Sequence, residues 1–383
     1  MKAKVLFITC KGKGGSNVSL RNTLFQIKHK VDICLIVPDR ETYDFFKDIE
    51  CKRIIYFKFH IYPQCCSLKE KLFWLPKVIL HYIVNKIAVR KIMRLYDKKI
   101  QLIHTNSSII DIGDRIARKI GVPHVWHLRE YIDKDFNFIP IPSMAKYKER
   151  LQDNNTITIT HNIEQHFSLN ARNRVIYNGI LSKVKHLPIK IDNNYFLYVG
   201  SITADKGFSE LCDAYEDYIS KASEPRKLLV AGSPASQQYM TNIKNRICQS
   251  KLYNYIEFLG QLDLPSTEAY MRNASALIVP SLYEAFGRIT AEAMSNGCIV
   301  IGKNTGGTRE QFDNGLEITG REIGYRYSTI EELSIVLQKF STIKESEIEL
   351  MRQDAFKTVQ TLYSNESNAE NILTYYTELI ASV

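Results

Sequence analysis

ASALIVPSLYEAFGRITAEAMSNGCIVIGKNTGGTRE, residues 274–310, decides the reading of the fold. Ala276 to Val279 is a short apolar strand, Pro280-Ser281 a turn, and the polar loop that follows holds Glu284. A helix carrying Glu292 starts near Gly287. A second apolar strand, Cys298 to Ile301, ends in a Gly306-Gly307 turn with Glu310 behind it. Strand, loop, helix, strand is the grammar of an open parallel sheet, whose ligands sit where strands end and helices begin. Glu284 and Glu292 flank that point, and such a pair taken alone suggests a general acid and a general base. The N–H groups at a helix start near Gly287 can meet a phosphate. An ordinary βαβ unit with two solvated glutamates is the competing reading of the spacing.

The chain has 383 residues, 45% hydrophobic and 24% charged, enough material for about two domains. The apolar run in MKAKVLFITC is too short for a signal peptide and makes a first strand. No run reaches the roughly eighteen apolar residues of a spanning helix. The eight cysteines form no CxxC pair and sit mostly in apolar runs, as reduced core residues of a cytosolic protein do. Charge is unevenly divided. Residues 1–185 hold 33 Lys and Arg against 16 Asp and Glu, a balance of +17, and the remainder holds 18 against 25, a balance of −7. The first half is therefore expected to face something anionic: lipid, lipid phosphate or nucleic acid.

Upstream, KVLFITC (4–10) is a strand, followed by a loop containing Gly14 and Gly15 and a helical pattern from Val18 to Ile27. Glycines there let backbone approach a phosphate or a sugar, although the loop fits neither G-x-G-x-x-G nor the Walker pattern. VDICLIVP (31–38) and KRIIYFKF (52–59) read as further strands. Lys69 to Lys99 holds nine Lys and Arg against two acids, interleaved with apolar residues. It reads equally as a core-facing helix with a basic rim and as a helix lying on an anionic lipid surface. QLIHTNSS (101–108) places His104, Thr105 and Asn106 at a strand end, and PHVWHLREY (123–131) is the next strand, with His127 at its exit. Asp133-Lys134-Asp135 has the form of a D-x-D metal motif, but it follows a polar exit loop rather than a strand, so no catalytic metal is expected. TITITHN (156–162) alternates like a strand, RVIYNGI (174–180) closes the first domain, and LSKVKHLPIKIDNN serves as a hinge. YFLYVG (195–200), KLLVAGSP (227–234) and YIEFLGQL (255–262) are strands with glycine exits at Gly200, Gly232 and Gly260. The tail, 364–383, is a polar start and then a helix with Ile372, Leu373, Tyr376, Leu379 and Ile380 apolar.

The stretch 274–310 resembles the E-x7-E signature of the retaining GT-B glycosyltransferases of family four, also called group 1. Pro280, Ser281, Glu284, Phe286, Gly287, Glu292, Ala293, Met294 and Gly297 match it, and Val175 to Gly179 matches the family's crossing into its second domain. The resemblance implies an α/β GT-B architecture: two Rossmann-like domains facing across a cleft, with a C-terminal helix returning to the first. The boundaries it suggests are 1–185 for the acceptor side, 186–362 for the nucleotide-sugar side and 363–383 for the returning helix. It implies that Glu292 holds the ribose diol and that Glu284 holds hydroxyls of the transferred sugar. Lys206 would grip the donor diphosphate, with Gly200, Ser201, Phe286, Gly287 and Arg288 around it. Gly14 and Gly15 would touch the donor, Gly232 and Gly260 the nucleotide, and His127 the sugar, so that Glu284, His127 and Lys206 act in catalysis. One departure stands out: Ser201 occupies the place of an arginine, and a serine offers a hydrogen bond without a charge. Diphosphate binding then falls more heavily on Lys206 and the helix start near Gly287.

The activity so implied is retaining transfer from a nucleotide-diphosphate sugar to a hydroxyl of a glycan or lipid-linked acceptor, without cofactor or metal. UDP is the first choice of nucleotide and GDP the second. The Trp-His-Leu-Arg-Glu string is similar to that of members acting on bacterial surface polysaccharide. A cytoplasmic location follows, with peripheral contact to the inner membrane face through 69–99. The alternatives are a nucleotide-sugar epimerase or a glycogen-synthase-like enzyme on the same fold, and a nucleic-acid-binding protein. The charge follows no nucleic-acid module, so no nucleic-acid partner is expected.

Overall fold

The structure, a computed structural model, describes all residues except 1, 52, 63, 66–74, 96–98, 183–184, 190–193, 341 and 383. It divides into two units: residues 1–179 with 365–383, and residues 180–364. The first boundary falls six residues before the Lys185 expected from sequence. Ile180 N–H donates to Tyr363 O and Leu181 bridges Ser364, which ties the start of the hinge segment to the second unit. Part of that hinge segment lies outside the described residues.

The first unit is a seven-stranded parallel sheet. Its strands are β1 (Ala3–Thr9), β2 (Val31–Val37), β3 (Arg53–Tyr56), β5 (Leu102–Asn106), β6 (His124–Leu128), β8 (Asn155–Thr158) and β9 (Asn173–Val175), and their order is β3-β2-β1-β5-β6-β8-β9. The short strands β4 (Gln64–Cys65) and β7 (Ile139–Pro140) pair antiparallel apart from it. Apolar runs without polar alternation suit a parallel sheet covered on both faces. Along β1, Val5 and Phe7 point to one face and Leu6 and Ile8 to the other, as the period of two requires. The Val5 face packs on helices Gly15–Ile27 and Asn365–Ala381, and the Leu6 face on helices Leu75–Arg94 and Ile112–Ile120. On the terminal helix, Ile372 and Tyr376 are buried, with Leu373, Leu379 and Ile380 packed beside them. Tyr376 Oη lies 2.6 Å from His104 Nδ1.

The second unit is a six-stranded parallel sheet of β10 (Tyr195–Val199), β11 (Lys227–Ala231), β12 (Ile256–Gly260), β13 (Ala276–Val279), β14 (Ile299–Lys303) and β15 (Tyr325–Tyr327), ordered β12-β11-β10-β13-β14-β15. The order reverses around β10 and β13, the kind of crevice where open sheets bind ligands.

Three local expectations are corrected. Residues 161–162 are not strand: Thr160 caps helix His161–Phe167 by accepting from Ile163 N–H, so the hydroxyl ends β8's alternation. Gly306-Gly307 is not a free turn but the first turn of helix Gly306–Thr319, which carries Glu310. His104 lies in mid-strand, fully buried, rather than at a strand end.

A group of buried histidines is expected to make the first unit sensitive to acid. Burial, with the Arg129 guanidinium adding to it, holds His104 and His127 well below the ordinary imidazole range. Burial takes His124 down to about 4. Between about 6.5 and 4 the unfolded chain binds protons that these folded imidazoles refuse, so stability is full above that window and falls as pH drops through it. Each histidine contributes up to ~1.4 kcal/mol per pH unit there. Glu130, raised by burial, works in the opposite sense, so the histidine contribution is isolated by substitution. Melting temperature is expected to fall from about pH 7 to about pH 5, and His124→Gln to flatten that slope. An unchanged slope in the variant would refute the assignment.

Candidate functional site

At the crevice of the second unit, the exit of β10, the end of β13 and the start of helix Arg288–Ser295 enclose a cavity of about 250 Å³. Tyr198, Gly200, Lys206, Glu284, Arg288 and Glu292 are among the residues lining it. The helix begins where the sequence placed it, with Gly287 at its N-cap in the left-handed region (φ 78°). Its start is clamped by Gln311, a buried side chain whose amide donates to Phe286 O at 2.5 Å and Gly287 O at 3.0 Å.

Two cation–carboxylate pairs face this cavity. Lys206 Nζ is 2.7 Å from Glu284 Oε1, and Arg288 Nη2 is 2.8 Å from Glu292 Oε1. All four side chains are half-buried, with Glu284 the least exposed at 16%. Half-burial strengthens each pair relative to a surface bridge and leaves a face open to solvent. The helix start adds partial positive charge beside Arg288, so the cavity combines two cations and a dipole with two acceptors. Such a set can bind an anion through the cations and polyol hydroxyls through the carboxylates.

The remaining expected residues of this unit have distinct places. Gly200, Gly232 and Gly260 stand at or just beyond the ends of β10, β11 and β12, where Gly200 N–H donates to Ala231 O and Gly232 N–H to Gly260 O. A Cβ at Gly232 (φ 151°) would lie 1.8 Å from Gly200 O, so only glycine lets these strand ends approach each other. Ser201 is exposed at the β10 exit, and its carbonyl accepts from Tyr198 Oη at 2.7 Å. Phe286 does not line the cavity. It is 3% exposed, with its ring edge-on to Tyr363 at 5.4 Å.

Gly14, Gly15 and His127 belong to the first unit. Gly14 is the N-cap of helix Gly15–Ile27, and a Cβ there would meet open space. The exposure expected of His127 at a strand exit is not found: the side chain is fully buried in β6. Its Nδ1 lies 3.2 Å from His104 Nε2 and 3.4 Å from Arg129 Nη2, and its Nε2 has no hydrogen-bond partner among the described residues. Sequence reasoning passed over Arg129, two residues along the same string. Buried itself, Arg129 donates to Asn106 Oδ1 and Asn178 Oδ1, both at 2.5 Å. Asn106 in turn reaches Thr9 Oγ1, and the Thr9 hydroxyl meets Asn17, whose amide donates to Cys10 O and Gly12 O. One continuous buried network thus runs from His127 to the backbone of the glycine loop. Its sequence signal was the density of Asn, Thr and His at strand ends. In Asp133-Lys134-Asp135, Asp133 Oδ1 meets His166 Nε2 at 2.9 Å and Asp135 accepts from Tyr131 N–H, so both acids are engaged by the protein.

Residues 181–341 match the family model of group 1 glycosyl transferases. An uncharacterized glycosyltransferase of Methanocaldococcus jannaschii is 26% identical over 276 residues, 70% of this chain and 71% of that protein. An uncharacterized protein in the cps region of Klebsiella pneumoniae is 24% identical over 55% of this chain and 50% of its own length. Among solved structures, HepE from Anabaena in complex with UDP superimposes with a TM-score of 0.77 at 16% identity, covering 98% of this chain and all of that one. The same protein with UDP-glucose gives 0.73, covering 99% and 100%. The second unit therefore carries a glycosyl transferase group 1 domain, and the architecture is GT-B.

Proposed function

We propose that this chain is a retaining glycosyltransferase that moves a sugar from a nucleotide-diphosphate sugar to a hydroxyl of a glycan or lipid-linked acceptor, in bacterial surface polysaccharide synthesis. The observation that carries the reading is the pairing of Lys206 with Glu284 and Arg288 with Glu292 around one cavity at a helix start. The UDP and UDP-glucose bound by HepE favour a UDP-sugar as donor. The string from Trp126 to Glu130, similar to that of members acting on surface polysaccharide, favours such a glycan as product.

In this mechanism the bond from the anomeric carbon to the diphosphate oxygen breaks while the acceptor oxygen bonds to the same face of that carbon. The acceptor proton passes to the leaving phosphate oxygen. Lys206, Arg288 and the helix start neutralise the charge that grows on the phosphate. Glu292 accepts from the ribose diol. Glu284 holds sugar hydroxyls and favours the partial positive charge beside it, without acting as a nucleophile. Gly232 and Gly260 offer backbone groups to the nucleotide. Gly14 and Gly15 offer backbone to the donor, and His127, fully buried, contributes by holding the network beneath their loop rather than by touching the sugar.

A panel of nucleotide sugars tests the reading by thermal shift, because a ligand that binds only the folded state raises stability by mass action. A ligand at about a hundred times its dissociation constant should add ~2.7 kcal/mol. UDP-sugars are expected to raise the melting temperature. The product made from the best of them should keep the donor's anomeric configuration, read from the proton coupling at the new linkage. Absence of stabilisation by any nucleotide sugar would remove the function, and an inverted linkage would remove the mechanism alone.

A further inference from the structure

Helix Leu75–Arg94 is divided in its surroundings. Its second half is anchored: Asn85, Ala88, Val89 and Ile92 are buried at helical spacing, and the last three pack on Leu6, Ile8 and Ile103. In its first half no residue from Pro76 to Val84 is buried. Ile79 is 51% exposed, Leu80 56%, Tyr82 48% and Ile83 48%, and Ile87 continues the patch at 44%. This concentration of large apolar side chains on one surface is more than solvent-facing helices carry, and it marks a surface that something covers.

The surrounding charge selects the partner. Lys77, Lys86, Arg90, Lys91 and Arg94 are all exposed on the same helix, which contains no acidic residue. A second copy of this face would bring its cations against those of the first, and like charges oppose that contact. A surface with negative headgroups and an apolar interior satisfies both features at once. The apolar side chains enter the headgroup boundary, and the lysine and arginine stems reach back to the phosphates. We propose that the exposed face of helix Leu75–Arg94 docks this chain on an anionic lipid bilayer. The docking rests on this helix and not on the donor cavity. It deepens the proposed function by placing the enzyme beside a lipid-linked acceptor.

Co-sedimentation of the full chain with phosphatidylcholine vesicles, with and without phosphatidylglycerol, tests the proposal. The chain is expected to sediment with the phosphatidylglycerol vesicles, to remain in solution with phosphatidylcholine alone, and to release as salt rises. Lys86→Glu with Arg90→Glu, and separately Leu80→Ser with Ile83→Ser, should each weaken sedimentation roughly tenfold or more. These positions are exposed, so melting temperature and the UDP titration should stay as in the wild type. Failure of wild-type protein to bind anionic vesicles, or sedimentation unchanged in both variants, would overturn the proposal. So would a dimer in solution that both variants dissolve, because a second copy would then cover the face. Loss of UDP binding in the wild type would instead count against the proposed donor and leave the docking result standing.

Discussion

Lys206→Ala is expected to lower donor turnover about a hundred- to a thousandfold, chiefly in kcat. Two effects combine. In the proposed mechanism the variant removes the cation that meets charge developing on the leaving diphosphate, an interaction stronger in the transition state than in the bound donor. It also strips Glu284, whose side chain is only 16% exposed, of a partner at 2.7 Å, so an unneutralised carboxylate faces the incoming phosphates. Lys206→Ala combined with Glu284→Gln separates the two: removing that carboxylate charge should restore nucleotide affinity while turnover stays low. Serine at position 201 makes this dependence steeper, because its side chain at the β10 exit carries no charge with which to share the load. Steady-state kinetics with the most stabilising nucleotide sugar provide the measurement. A kcat within about threefold of wild type would remove Lys206 from the reaction.

The contrast between Lys206 and His127 shows what sequence made legible. The cavity could be located from 274–310 because its parts are local: an apolar strand, a polar loop, and a glycine whose left-handed backbone starts a helix. The Arg288–Glu292 pair is a four-residue helical spacing and could also be read directly. The Lys206–Glu284 pair joins residues 78 apart, and only the parallel sheet brings them together. The network beneath the glycine loop is further from view. It gathers Thr9, Asn17, Asn106, His127, Arg129 and Asn178 from five separate segments, while Tyr376 reaches His104 from the terminal helix. Each is an ordinary polar residue in its own stretch. A strand-exit histidine reads as exposed from its position alone, whereas His127 is buried against His104 of β5, which Tyr376 in turn contacts from the far end of the chain. The Gly306-Gly307 pair misled for a related reason: two glycines favour a turn by propensity, but here close packing against another loop selects them.

That packing makes Gly307→Ala the second large effect. A Cβ at Gly307 would lie 2.3 Å from Phe286 O, 2.4 Å from its carbonyl carbon and 2.6 Å from its Cα. All three are backbone atoms, so no side-chain rotation relieves the overlap. Gly307 N–H also donates to Glu284 O at 2.7 Å, so the two segments cannot separate without losing that bond. The loop from Glu284 to Gly287 must move, and it carries one carboxylate of the cavity and the helix start beside the other. A destabilisation of ~2–3 kcal/mol is expected, read as a lower urea midpoint, together with weaker nucleotide binding. Gly320→Ala is the control. Gly320 ends the same helix at φ 72°, but a Cβ there would meet nothing within 4 Å. Its replacement should cost only ~1 kcal/mol of backbone strain and leave nucleotide affinity unchanged. If Gly307→Ala matched Gly320→Ala in both readouts, backbone conformation rather than contact with the Glu284 loop would explain the glycine pair. The second sheet would then support the cavity without that contact.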